Sequence, residues 1–69
     1  MNVTEPRNDD HLLNEEEAAR FLRISIRTLQ AWRTRKVGPA YVLLGRLVRY
    51  RFKSLLDFIS ANTQAPNTR

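Results

Sequence analysis

Ten side chains between Arg20 and Lys53 are cationic and none is anionic. They are Arg20, Arg23, Arg27, Arg33, Arg35, Lys36, Arg46, Arg49, Arg51 and Lys53. The first nineteen residues carry six acids against one arginine, so the charge runs about −5, then +10, then 0 along the chain, summing to +5. A cationic block with aromatic and apolar residues spaced through it can both fold and hold a polyanion. That chemistry points to nucleic acid.

Covalent chemistry has far less to work with. There is no cysteine to act as nucleophile or thiolate ligand, and the single histidine, His11, stands beside an acidic segment. No glycine-rich phosphate loop and no metal-ligand spacing is present in the sequence. The carboxylates Glu15, Glu16 and Glu17 are consecutive. On a helix they point about 100° apart, which suits capping better than a shared ion or an acid/base pair. Ser25 and Ser54 are read as helix caps. The chain is therefore expected to be no enzyme and to take no cofactor and no metal.

Sixty-nine residues make one domain at most. A chain of this size buries only about 60% of its extended surface, so its stability is modest. Small secreted domains usually rely on disulfides, and the lack of cysteine favours a reducing cytoplasm. No apolar run approaches the roughly 18 residues of a membrane span. The first ten residues are polar and acidic, unlike a signal peptide. A basic membrane-surface helix is disfavoured because Gly38-Pro39 and a β-like stretch interrupt the cationic block. The expected location is cytoplasmic, in association with a bacterial nucleoid, with no membrane partner.

The elements that must position the cations are short. Residues 1–11 read as a flexible acidic arm and 62–69 as a flexible polar tail, leaving a folded domain over 12–61. A first helix is predicted over 15–22, with Asn14 as N-cap, Glu17 completing a capping box and Leu13 stapled onto Ala18. The acidic triplet suits the positive end of that helix dipole. A second helix is predicted over 26–35 with Ser25 as N-cap, only three residues after the first. Two short helices joined so tightly are the helix-turn-helix signal. Periodicity turns Ile26, Leu29 and Trp32 inward. It turns Arg27, Ala31, Thr34 and Arg35 outward, flanked by Thr28 and Gln30. That acid-free outer face suits a major groove.

Gly38-Pro39 ends the helical region, and 41–44 with 47–52 read as a β-hairpin around Gly45-Arg46. A two-residue loop would pair Leu44 with Leu47. A three-residue loop would pair Leu44 with Val48 and Val42 with Tyr50. The second register is preferred, because it gathers Val42, Leu44, Val48 and Tyr50 inward and leaves Arg49 and Arg51 outward, with Arg46 at the tip. A basic hairpin after a helix-turn-helix is a wing. A last helix is predicted from Ser54 to residue 60, with Leu55, Phe58 and Ile59 apolar and Asp57 in its first turn.

The ordered set Leu-Leu-Asn-Glu-Glu-Glu-Ala-Ala-Arg-Phe-Leu (12–22), Ser-Ile-Arg-Thr-Leu-Gln-Ala-Trp-Arg (25–33), Gly-Pro (38–39), Gly-Arg-Leu-Val-Arg-Tyr (45–50) and Leu-Leu-Asp-Phe-Ile (55–59) resembles the excisionase-type helix-turn-helix family, small relatives of the MerR DNA-binding domain. The resemblance implies a mainly α fold with a small β-hairpin: a MerR/excisionase-like winged helix-turn-helix of three helices plus a two-stranded wing. By position, it implies base-reading contacts from Arg27, Thr28, Gln30, Ala31 and Thr34. Ser25, Arg33, Arg35 and Lys36 fall to the DNA backbone, and Arg46, Arg49 and Arg51 to the wing. Members typically direct a mobile element's integrase as recombination directionality factors, or regulate transcription, and often bind repeated sites and bend DNA. The implied partners are double-stranded DNA, a site-specific integrase or recombinase, and further copies of the chain on adjacent sites.

This sequence departs from the family's pattern at three places. Arg23 stands where a glycine is frequent, so the turn is expected not to need a left-handed residue. Leu43 and Leu47 stand where polar or basic residues are common, and together would form an apolar patch for a protein contact. With only a short polar stretch after the last helix, the long coiled coil of full-length MerR regulators is expected to be absent. The readings carried forward are an excisionase, a small transcriptional regulator on the same fold, and a protein-interaction module such as an antirepressor. RNA binding is disfavoured because Phe21, Trp32, Tyr50 and Phe58 fall at inward positions instead of forming a stacking platform.

Overall fold

Helix α1 (Glu15–Leu22) forms over the predicted span. The computed structural model describes residues 11–65. The expected arm over 1–11 therefore lies outside the described residues except for His11, and the expected tail is described only to Ala65. At the start of α1, Asn14 Oδ1 accepts from the Glu17 N–H at 2.8 Å, and Glu17 Oε1 accepts from the Asn14 N–H at 2.9 Å. This reciprocal box satisfies two N–H groups that a helix start leaves unpaired. Ala18 and Ala19 are buried, and their small side chains let the next helix approach closely.

The turn departs from expectation. Arg23 adopts the left-handed region at φ 61 and ψ 42. The Ile24 N–H then reaches Ala19 O at 3.0 Å while the Arg23 N–H reaches Arg20 O at 3.1 Å. This nested closure ends a helix abruptly and requires a left-handed residue, even where the residue is arginine. Helix α2 (Ile26–Thr34) ends the same way, with Lys36 at φ 62, Val37 N–H to Trp32 O at 2.9 Å and Lys36 N–H to Arg33 O at 3.1 Å. A left-handed conformation costs an L-residue roughly 1–2 kcal/mol, and glycine's extra unfolded-state entropy returns about 0.5–1 of that. Arg23→Gly is therefore expected to stabilise the domain by up to about 1 kcal/mol. A urea midpoint below that of the parent chain would contradict the strain.

Past α2, Gly38 sits at φ 86, and a Cβ there would meet the Cβ and Cε3 of Trp32 at 3.0 Å. The chain can turn back under the indole only because that position has no side chain. Strands β2 (Val42–Leu44) and β3 (Leu47–Arg51) form the expected hairpin. The preferred register is overturned: Leu44 pairs with Leu47, Leu43 with Val48 and Val42 with Arg49. Gly45 alone supplies a positive φ at the tip, 66°, which suits a two-residue loop with glycine first. β2 has slipped by one residue, so Leu43 joins Val48 on the inner face and Leu44 joins Leu47 on the outer one.

The wing is also wider than two strands. A short strand before α1, β1 (Leu12–Leu13), pairs antiparallel with β3, Leu12 opposite Arg51 and Leu13 opposite Tyr50, so β3 is central. The His11 carbonyl extends this ladder by accepting from the Phe52 N–H at 2.8 Å. Helix α3 (Phe52–Ala61) consequently starts straight out of β3, two residues earlier than the predicted Ser54 start. Its N-cap is Arg51, without a side-chain cap bond. Asn62 Nδ2 and Thr63 Oγ1 fold back onto the Phe58 and Ile59 carbonyls at 2.9 and 2.7 Å, closing its far end.

Ala18, Ala19, Leu29, Tyr50 and Leu55 form the core, with Leu13, Leu22, Ile24, Trp32 and Val48 packed around it. Each fully buried leucine contributes about 1.5–3 kcal/mol of hydrophobic stabilisation. The Trp32 and Phe58 rings lie 5.4 Å apart and fasten α2 to α3. Two residues placed inward by periodicity are more open. Ile26 is 39% exposed and Phe21 is 40% exposed, its ring meeting Phe52 edge-on at 4.8 Å.

Burial pushes the Tyr50 hydroxyl above its ordinary value of 10.0, partly offset by the nearby Arg33 charge. In that range the folded chain holds the Tyr50 proton more tightly than the unfolded chain does. This contribution to stability is intact below about pH 10 and is lost as pH rises through the raised value. Denaturation midpoints followed from about pH 9 to about pH 11 should fall more steeply for the parent chain than for Tyr50→Phe. Parallel curves would remove Tyr50 as the cause.

Candidate nucleic-acid interface

Helix α2 and the wing share one open groove. Ile26, Gln30 and Arg33 line it from the helix side, Arg46, Leu47, Val48 and Arg49 from the hairpin, and Asn14, Glu15 and Glu16 from the start of α1. Ile26 is thus a wall of this groove and not part of the core. On the helix, Arg27, Gln30, Ala31 and Thr34 are exposed along one side. Thr28 is half-buried, and its Oγ1 accepts from Ser25 Oγ at 2.9 Å. Ser25 Oγ in turn accepts from the Thr28 N–H at 3.0 Å. The Ser25 hydroxyl is therefore engaged in capping, although sequence also assigned it to the DNA backbone.

The basic side chains divide by partner. Among the described residues Arg20 pairs with Glu16 at 3.6 Å, Arg33 with Glu15 at 2.7 Å and Lys53 with Asp57 at 3.4 Å. The other seven of the ten form no ion pair with a described residue. Arg27, Arg35, Lys36, Arg46 and Arg51 are exposed among them, at the helix, its C-terminal end and the wing. Arg49 is half-buried and donates from Nη1 to the Val48 carbonyl at 2.8 Å, so its guanidinium lies along its own strand.

Arg33 differs most from its sequence assignment to phosphate. Its guanidinium is held by Glu15 and lies 5.9 Å over the Tyr41 ring, which in turn lies 6.2 Å from Tyr50. Gln30 belongs to the same cluster, donating from Nε2 to Glu15 Oε1 at 3.1 Å. Reading the acidic triplet as caps alone missed Glu15. Capping accounts for Glu17, and Glu16 reaches Arg20 one turn on. Only the crossing of the two helices brings Glu15 to residues fifteen and eighteen positions later. Leu43 and Leu47 are both exposed, 60% and 55%, but lie on opposite faces of the hairpin, so the single patch expected from them does not form.

Two helices in a three-residue turn, followed by a hairpin that walls the same groove as the second helix, are the parts of a winged helix-turn-helix. Residues 12–63 match the family described as helix-turn-helix domain, a family of excisionase-like small DNA-binding domains. The chain belongs to this helix-turn-helix family. DNA binding follows from that membership, and the match covers every element described above, from β1 to the end of α3. None of the curated proteins compared matches the chain. In this helix-turn-helix domain the described residues hold no cluster of metal-ligating side chains. No helix among them is long and apolar enough to cross a membrane.

Proposed function

We propose that this helix-turn-helix protein is a sequence-specific double-stranded DNA-binding protein acting as an excisionase: it binds repeated sites, bends the duplex and so directs an integrase. The observation that carries the reading is the groove shared by Gln30 of α2 and Arg46 of the wing, in a domain of an excisionase-like family. The exposed face of α2 enters the major groove, with Arg27 and Gln30 at base edges and Thr34 beside them. The exposed cations Arg35, Lys36, Arg46 and Arg51 supply the sequence-independent part of the affinity. Four phosphate contacts at about 0.9 each give a log–log salt slope of about −3.6.

One module of this size covers only about 600–1,000 Å² of its own surface, which favours occupancy by several copies on adjacent sites. Footprinting on the attachment region and promoter adjoining the gene, with circular-permutation gel shifts on the protected fragment, tests the proposal. Repeated protected sites flanking integrase sites, with position-dependent mobility, are expected. A straight complex on a lone promoter site would replace the excisionase reading with that of a transcriptional regulator on the same fold.

A further inference from the structure

Glu15 stands at the start of α1, yet capping does not use it. Its Oε1 accepts from Gln30 Nε2 at 3.1 Å and its Oε2 from Arg33 Nη1 at 2.7 Å, so one carboxylate ties together two side chains of α2. The Arg33 and Glu15 side chains keep only 25% and 24% of their exposure, whereas those of the Arg20–Glu16 pair keep 72% and 66%. The half-buried location and the 2.7 Å contact make the Glu15–Arg33 pair the less screened of the two.

This contact has two consequences for a surface that meets DNA. A carboxylate offers no donor, so the end of the Gln30 amide facing it must be the NH₂ group. One N–H is then occupied by Glu15, while the amide oxygen and the second N–H remain. An acceptor and a donor in one amide plane are what adenine N6 and N7 require. Second, Arg33 is neutralised in the free protein, so it adds no counterion release on binding, although it lines the same groove as Arg46.

We propose that Glu15 is a positioning residue for DNA reading: it holds the Gln30 amide in the orientation that selects adenine and keeps Arg33 away from phosphates, which lowers affinity for unrelated DNA. The proposal rests on α2 being the base-reading helix. It assigns to the first helix part of the choice of site.

The test uses the full chain and two fluorescent duplexes, the best site that the parent chain recovers from a randomised pool and a scrambled version of it. Affinity is measured across a salt series, and the selection is repeated with each variant. Glu15→Ala is expected to bind the scrambled duplex several-fold more tightly at low salt, with a slope steeper by about 0.9 as Arg33 becomes free. Its selected sites should lose an adenine preference of about tenfold at one base pair, the same pair at which Gln30→Ala loses it. Glu15→Gln keeps an oxygen that accepts from Gln30 but has no charge to hold Arg33. It should retain the adenine preference and still show the steeper slope.

Unchanged slopes and unchanged selected sites in Glu15→Ala would overturn the proposal, as would parallel weakening on both duplexes at constant slope. Circular dichroism establishes that each variant is folded, and if Glu15→Ala is not, the slope of Glu15→Gln decides. A parent chain that binds neither duplex at low salt would instead remove the DNA-reading assignment of α2, and this proposal with it.

Discussion

Leu29→Ala is expected to destabilise the domain by about 2–5 kcal/mol, a large share of the stability of a domain this small. Leu29 is fully buried in α2 and belongs to the core formed with the α1 alanines, Tyr50 and Leu55. Truncation removes its hydrophobic contribution and leaves a cavity among Ala18, Ala19, Tyr50 and Leu55. A domain of this length has a total stability of roughly 3–10 kcal/mol at about 0.05–0.15 kcal/mol per residue. Ile26→Ala, three residues earlier on the same helix, is the control. With Ile26 39% exposed, its loss should cost under about 1 kcal/mol. Urea denaturation followed by circular dichroism separates the two, and equal midpoints for the pair would refute this account of the core.

The second large effect concerns DNA. Arg27→Ala should lose about 1–3 kcal/mol of discrimination at one base pair, roughly a five- to hundredfold relaxation of site choice there. Arg46→Ala, at the exposed wing tip, should instead weaken binding to all duplexes and make the salt slope shallower by about 0.9. The contrast matters more than either value, because it separates a side chain at base edges from one at phosphates. Binding to matched and mismatched duplexes at several salt concentrations reports both. If the two variants lost only salt-dependent affinity, α2 would not be the helix that reads sequence.

These expectations fit a domain in which affinity and specificity come from different residues. The exposed cations without ion pairs lie in the turn before α2, on α2 and at its end, and on the wing, while Gln30 and Arg33 are restrained by Glu15. The restraint limits how many cations can meet phosphate, and therefore how strongly the protein holds unrelated DNA. Apolar side chains remain on the outer wing face, where Leu44 and Leu47 are 49% and 55% exposed as a cross-strand pair.

The sequence by itself determined what is local. Asn14 and Glu17, three residues apart, announce α1, and Ser25 with Thr28 announce α2, because a cap links a side chain to backbone one turn away. The segregation of charge, the tight turn and the inward pair Val48 and Tyr50 of β3 were equally legible. The register of β2 was not. β2 is a three-residue edge strand, with Val42 half-buried and Leu43 and Leu44 both exposed, so burial hardly prefers one face and the Gly45 turn decided the pairing.

Other features exist only after distant segments meet. The two-residue strand β1 gains its hydrogen bonds from β3, thirty-nine positions further along at Leu12 and Arg51, and that ladder moves the start of α3 forward to Phe52. The left-handed Arg23 is fixed by the need to return α2 across α1 within three residues. The Glu15 clamp follows from the same crossing. Local periodicity could place Glu15, Gln30 and Arg33 on their own helices, but only the packing of those helices brings one carboxylate within bonding distance of both partners.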